Sequence, residues 1–263
     1  MLAGVLSGGA HASEPFAWPD GARAAISLAY DDALDSQLDI ALPALDRHGF
    51  KASFYLVLAN PSVPARMQDW RAAAARGHEL GNHTLFHQCS GSAPEREWVE
   101  PARNLDTTTR AQMADQVRVA NTMLTAIDGA RERTLTPPCG ETRASDGDWL
   151  APVRKDFVAV RVGGDAINDP VALAASGEAT VIAPVGMTGA QLIALAREAA
   201  RRGGLLCLTF HGIGGDYLTT SREAHDELLD YLAKHRQDYW VDRFVDIARY
   251  ARKQHPSSTA ETP

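Results

Sequence analysis

Cysteine is scarce in this chain: Cys89, Cys139 and Cys207 are the only three in 263 residues. Three cysteines make no disulfide framework, and their spacing fits no cysteine-type zinc site. Basic clusters are equally thin. The net charge is −7, the isoelectric point is near 5.7, and no basic run exceeds two residues, as at Arg201-Arg202. That balance excludes the electrostatic footprint of a nucleic-acid binder. No apolar stretch is long enough for a membrane-spanning helix, so no membrane insertion is expected. No serine sits in a G-x-S-x-G turn, which argues against a serine esterase.

What is present points to an α/β protein. Hydrophobic side chains make up 45% of the chain, enough for one sizeable core. Apolar runs that read as strands alternate with segments of helical period. The strands are expected at residues 22–30, 51–58, 78–82, 133–136, 157–162, 181–185 and 205–210. Helices are expected at residues 38–48, 67–76, 109–127, 188–202, 222–235 and 244–253. Asp35 or Ser36 is the expected N-cap of the first helix and Ser221 that of the fifth, while Gly49, Gly129 and Gly203 are expected stops. Repeated βα units imply a mainly parallel sheet, and the number of strands favours closure into a barrel. Residues 1–12 (MLAGVLSGGAHA) are apolar and end in an A-x-A-like site, which reads as a shortened export signal without its basic start. The expectation is therefore a periplasmic or secreted protein, or a cytoplasmic one if that stretch is no signal. A single catalytic domain over residues 20–254 and a polar, disordered tail over 255–263 complete the reading.

In parallel α/β barrels, chemistry sits at the C-terminal ends of strands. The chemical residues fall there. Asp31 and Asp32 directly follow the first strand. Adjacent carboxylates repel each other unless a cation is bound or one of them is paired; alone, they could equally be an acidic turn. His83 and His87 follow the third strand, four residues apart, a spacing that lets both reach one ion from a helical turn or tight loop. Two histidines and a carboxylate make a facial set with open positions for water and substrate. His211 follows the last strand and precedes the glycine-rich Gly212 to Gly215.

The order Asp-Asp, His-Thr-x-x-His, a proline-containing loop and a histidine after the last strand resembles the polysaccharide deacetylases of carbohydrate esterase family four, the NodB-homology fold. The resemblance spans about residues 22–250. It implies a distorted (β/α) barrel and a metal-dependent hydrolase acting on a carbohydrate. It makes Asp31 the general base, His211 the general acid, and Asp32, His83 and His87 the ligands of one divalent ion, zinc by expectation. It places Pro138, Cys139 and Gly140 in the loop that offers a backbone N–H to the oxyanion.

The third motif departs from the family pattern, with Thr136 where an arginine is expected and Cys139 where an aromatic is expected. Arg161 is the candidate replacement for the missing charge. The fourth motif has two candidates, Asp148-Trp149 and Asp165, of which Asp165 is preferred. Thr209 stands where the pattern has leucine. In the family layout Cys89 and Cys139 face each other, so export would let them form a disulfide joining two site loops; the alternative is a pair of buried thiols. Trp98 reads equally as a sugar-stacking ring or as core.

The substrate this implies is an N-acetylated amino-sugar poly- or oligosaccharide. The alternatives are an O-acetylated, acetylxylan-like glycan and a catalytically impaired carbohydrate-binding relic. A two-histidine, one-carboxylate iron oxygenase is opposed by the βα alternation, since that class uses a jelly roll of many short strands.

Overall fold

The computed structural model describes residues 16–255. The expected export signal and the tail beyond His255 lie outside these residues. In chain order the elements are β1 (Ala24–Asp31), a π-helical turn (Gln37–Ala41) running into α1 (Leu42–His48), β2 (Ser53–Leu56), α2 (Ser62–Ala65), α3 (Met67–Ala75) and β3 (Glu79–Asn82). Then come α4 (Arg110–Asp128), a short hairpin of β4 (Arg143–Ala144) and β5 (Gly147–Asp148), β6 (Val160–Gly163), β7 (Ile167–Asn168), α5 (Pro170–Ser176) and β8 (Glu178–Val181). The chain closes with α6 (Gly189–Arg202), β9 (Leu205–Phe210), α7 (Arg222–Lys234), β10 (Tyr239–Val241) and α8 (Phe244–Gln254).

Strands β3, β2, β1 and β9 pair in that order, all parallel. Single parallel bridges extend the pairing beyond them. Asn82 bridges to Leu135, Leu135 bridges to Val160 of β6, β6 pairs with β8, and Ile182 bridges to Leu208 of β9. The sheet thereby closes on itself as a distorted (β/α) barrel, the architecture expected from the sequence. Where a single residue makes the join, at Leu135 and Ile182, the wall is thin and the barrel departs from round.

The two faces of the strands have different chemistry, as the period of two requires. Ile26, Leu28 and Tyr30 of β1 join Leu42 and Leu45 of α1, Leu192 of α6 and Leu228 of α7 in the largest buried cluster. The intervening Ser27, Ala29 and Asp31 are also buried, on the opposite face. On its inward face β1 thus presents small or polar side chains. Near the barrel's N-terminal end, Glu79 accepts hydrogen bonds from Ser53 Oγ (2.6 Å), Thr134 Oγ1 (2.7 Å) and the backbone N–H of Val245 at the start of α8 (3.2 Å). A carboxylate at a helix N-terminus is favourable, so this residue joins two strands, Thr134 and the closing helix.

The helix stops lie where glycine is needed. Gly49, Gly129 and Gly203 all have positive φ, at 65°, 74° and 67°. Thr109 and Thr188 build capping boxes with Gln112 and Gln191, and Ser221 accepts from the N–H of Ala224. Neither Asp35 nor Ser36 caps the first helix. The backbone of Ser36 is already helical, its hydroxyl accepts from the Ile213 N–H (3.1 Å), and the chain enters α1 through the π turn. The strand expected at 181–185 lies earlier, at Glu178–Val181. Helix α5 and strand β10, at seven and three residues, are too short to show a period in the sequence.

Candidate metal centre and cleft

The strand ends deliver the polar residues to one rim. Asp31 is the last residue of β1, and Asp32 follows it; His83 follows β3, Thr136 follows the Leu135 bridge, and His211 follows β9. Asp31, Asp32, His83, His87 and His211 all line one cleft of about 810 Å³.

Asp32 Oδ1 lies 3.2 Å from His83 Nε2 and 3.3 Å from His87 Nε2. The three candidate ligand atoms all fall within 4.8 Å of one another. His83 and His87 are therefore brought together by a loop rather than a helical turn. Thr84 and His87 both have positive φ, 65° and 56°, and the Thr84 hydroxyl accepts the His87 N–H (3.2 Å). Asp32 is also left-handed (φ 82°); its N–H donates to the Tyr55 carbonyl (3.0 Å) and its own carbonyl accepts from Asn60 (2.8 Å). Non-glycine residues in this region cost energy and persist only where the surroundings hold them.

The proton inventory at this point favours a cation. His83 Nδ1 lies 2.6 Å from the Thr136 carbonyl. A carbonyl only accepts, so Nδ1 carries the hydrogen and the Nε2 of a neutral ring presents a lone pair to Asp32. Asp32 Oδ1 is buried and has no hydrogen-bond partner among the described residues. Lone pairs that converge on an unpartnered carboxylate oxygen are repulsive unless a positive charge lies between them. Burial disfavours the Asp32 carboxylate, yet the adjacent His83 and His87 imidazoles outweigh it and hold the acid well below its usual range. Burial likewise opposes charging His83, and the Asp31 and Asp32 carboxylates reverse that and raise it. The same field that draws a proton draws a metal ion. The residues fit a divalent cation of the zinc class, bound by two imidazoles and one carboxylate.

Around this centre, Arg161 Nη1 lies 3.5 Å from Asp31 Oδ1. His83 Nε2 is 3.9 Å from Asp31 Oδ2, and His211 Nε2 is 3.7 Å from Asp32 Oδ2. Cys89 and Cys139 form a disulfide with Cα atoms 6.0 Å apart, which ties the His83–His87 loop to the Pro137–Gly140 loop. Its sulfurs are therefore not thiolate ligands, although they lie close to His87. Cys139 is left-handed (φ 56°) and lines the cleft with Pro137 and Gly140. Pro138 lies in the same loop and is buried. Cys207 is plain core, and burial pushes its thiol up to about 12.

Both candidates for the fourth motif lie away from the cleft. Asp165 is exposed in the turn after β6, so its expected place as the fourth motif beside the site is corrected. The Arg161 guanidinium instead meets the hydroxyls of Thr136 and Thr209 and the face of the Tyr55 ring. Asp148 accepts from the Leu150 N–H, and Trp149 is core, with its indole N–H on the Glu141 carbonyl. Among the described residues, His211 Nδ1 is buried without a partner.

Three contributors carried little or no signal in the sequence. Gln37 Nε2 donates to the carbonyls of both Asp31 (2.5 Å) and His211 (3.2 Å). Asn60 holds Asp32 from the other side, as above. Tyr217 Oη donates to Asp32 Oδ2 (2.9 Å); its only cue was a place in the loop that the glycines after His211 announce. Trp98 is 56% exposed and lines the cleft, so it is not core.

Residues 19–148 match the model of the polysaccharide deacetylase family. A gellan lyase from Bacillus sp. is 26% identical over 256 residues; the match takes in 90% of this chain, which spans about a tenth (10%) of that relative's length. Among solved structures, a Mycobacterium smegmatis protein provisionally assigned as a polysaccharide deacetylase superposes with a TM-score of 0.66 at 16% identity, covering 95% of this chain and 97% of the other. The peptidoglycan deacetylase PdaC from Bacillus subtilis gives 0.55 at 16% identity, covering 88% and 92%. The Xyl-CE4 domain of a multidomain xylanase, from the hindgut metagenome of Trinervitermes trinervoides, gives 0.55 at 14% identity, covering 86% and 89%. At these identities the structural likenesses speak for the fold.

Proposed function

The chain carries a polysaccharide deacetylase domain, and from that premise we propose that it is a metal-dependent hydrolase that removes acetyl groups from a carbohydrate. The substrate class is an N-acetylated amino-sugar poly- or oligosaccharide, ahead of O-acetylated glycans. The observation that carries the reading is the convergence of Asp32, His83 and His87 around the unpartnered Oδ1.

A divalent ion held by these three residues would supply a polarised acetyl carbonyl and a bound water of lowered pKa. Asp31 is the base that takes the proton of the attacking water, and Arg161 restrains that carboxylate from behind. The Cys139 backbone N–H is the donor assigned to the developing oxyanion, in a loop whose shape the disulfide limits. His211 Nε2 delivers a proton to the leaving nitrogen. No covalent enzyme intermediate is needed. Trp98, exposed beside His87 with ring centroids 6.4 Å apart, offers a face for a sugar ring. The same domain is taken to span residues 20–254. The disulfide supports an oxidising, extracytoplasmic compartment.

The test is an acetate-release screen over acetylated chito-, peptidoglycan- and xylo-oligosaccharides with zinc, cobalt or manganese added to chelator-treated protein. The expected result is metal-dependent acetate from at least one N-acetylated glycan. Bound metal with no acetate from any of them would leave only a carbohydrate-binding relic.

A further inference from the structure

The segment after β9 folds back over the metal centre in a fixed shape. The Gly212 N–H donates to the Tyr217 carbonyl (3.1 Å), and the Thr220 N–H donates to the Gly212 carbonyl (2.9 Å). Asp216 Oδ2 accepts from the Ser36 N–H (3.0 Å), which anchors the loop to the turn after β1. A Cβ on Gly212 would lie 2.0 Å from the Gly215 carbonyl oxygen, so only glycine fits there. Asp216 and Leu218, on either side of Tyr217, are both left-handed, at φ 60° and 47°. The tyrosine is thus placed chiefly by its backbone, the residue being 53% exposed.

This backbone sets Tyr217 Oη at 2.9 Å from Asp32 Oδ2, while Oδ1 of the same carboxylate faces the two imidazoles. The carboxylate has a competing neighbour, because His211 Nε2 is only 3.7 Å from the same Oδ2. With no donor on Oδ2, the carboxylate can turn toward His211 and away from the ion. Losing an outer donor that fixes a ligand's orientation typically weakens metal affinity or activity by about 10- to 100-fold.

We propose that Tyr217 is a positioning residue for the metal carboxylate: its hydroxyl fixes the rotation of Asp32 so that Oδ1 alone is presented to the cation and Oδ2 is kept from His211. The inference rests on the metal site proposed above. It concerns affinity for the ion and does not require contact with the sugar, although Tyr217 also separates the cleft from a neighbouring hollow of about 360 Å³ that it lines with Trp98, Phe86 and Arg103.

The experiment compares chelator-stripped wild-type protein with Tyr217→Phe, which removes only the hydroxyl. Dissociation constants for Zn²⁺ and Co²⁺ are read by competition with a chromophoric chelator, alongside apo-protein melting and the KM for an active glycan. The expected result is a metal Kd raised about 10- to 100-fold, with the apo melting temperature unchanged. A Kd within twofold of wild type overturns the proposal, and a raised KM with unchanged Kd overturns it in favour of a mere substrate wall. Wild-type protein that takes up neither ion overturns it together with the metal reading. Wild-type protein that binds metal but releases no acetate refutes only the hydrolase reading, and the Kd ratio still judges Tyr217.

Discussion

Arg161 Nη1 sits 3.5 Å from Asp31 Oδ1 across the barrel interior, although 130 positions separate the two residues in the chain. The guanidinium is fully buried and also meets the hydroxyls of Thr136 (3.4 Å) and Thr209, with the Tyr55 ring 4.7 Å away. The two threonines stand where the family pattern has an arginine and a leucine. Their small side chains leave the space that a long side chain from β6 fills. The positive charge beside Asp31 therefore comes from β6 and not from the loop that holds Thr136.

The first prediction follows from that exchange. Arg161→Met removes the guanidinium paired with the buried Asp31, which destabilises the fold by about 3–5 kcal/mol. It also lowers kcat by roughly a hundredfold through a misplaced base. Arg161→Lys keeps the charge and loses the planar fork, so a smaller loss of about tenfold is expected. Adding Thr136→Arg to Arg161→Ala should recover part of the activity. Urea midpoints and steady-state rates measure all of these, and full activity in Arg161→Met would show that the pair has no part in the reaction.

A second prediction separates the two adjacent carboxylates. Asp31→Asn should retain metal, measured by atomic emission, and lose about 10²–10⁴ in kcat, the usual contribution of a positioned base. Asp32→Ala and His87→Ala should lose the metal itself. Dialysis of wild-type protein against a strong chelator should abolish acetate release, and zinc should restore it. Equal metal loss in Asp31→Asn and Asp32→Ala would erase the distinction between base and ligand.

Much of this site was legible because its signals are short-range. Asp31-Asp32 and His83…His87 each declare themselves within a few residues, at the ends of apolar runs. The barrel was legible for the same reason, since each βα unit carries its own periodicity and stop. What the sequence did not carry is the pairing of distant residues. Arg161 could be named only as a candidate, and Asp165, four residues further on, was preferred for a place it does not reach because the chain turns outward after β6. Tyr217 is unremarkable in sequence, and only the backbone of its loop brings it to Asp32. Gln37 works through backbone carbonyls, which have no residue type to recognise.

The third prediction concerns Gly81 of β3. Its missing Cβ would lie 2.4 Å from the Tyr55 ring, and that ring is the platform under Arg161. The ring is fully buried and cannot swing aside, so Gly81→Ala should overpack the barrel interior and cost about 1–3 kcal/mol. Because the displaced ring also carries Arg161, kcat should fall even under conditions where the variant is fully folded. A variant with unchanged stability and rate would mean that the barrel interior is loose enough to absorb a methyl group.

The fourth prediction uses the Cys89–Cys139 disulfide, whose ends are 50 residues apart. Closing a loop of that length restricts the unfolded chain by about 4 kcal/mol in the entropic account, and measured values run at about 2–4 kcal/mol. A thiol reductant should therefore lower the unfolding free energy by that amount. Cys89→Ser with Cys139→Ser should do the same without reductant. The rate should fall as well, since the bond ties the His87 loop to the loop that holds the candidate oxyanion donor. Intact mass with and without reductant should differ by about 2 Da for one disulfide; no difference would mean that the thiols are free.

The last prediction is a loss of stability on mild acidification that does not involve the cleft. His225 is buried in α7, with Nε2 2.7 Å from Tyr30 Oη and Nδ1 unpartnered. Burial, with smaller contributions from the nearby His48 and Arg47, drives its pKa down from 6.5 to about 3. Burial does the same to His78, which falls to about 4 despite its contact with Asp46. In both cases the unfolded chain binds the proton more readily than the folded one, so stability rises with pH. The contribution is complete above about pH 6.5, is lost progressively as pH falls through that value, and levels off once the folded forms protonate near 3 and 4. For His225 it amounts to roughly 3–5 kcal/mol at 1.36 kcal/mol per unit. His225→Gln keeps a partner for Tyr30 and removes the titration, so its melting temperature should fall less between pH 7 and pH 5 than that of the wild type. Parallel curves for the two proteins would assign the acid sensitivity to other groups.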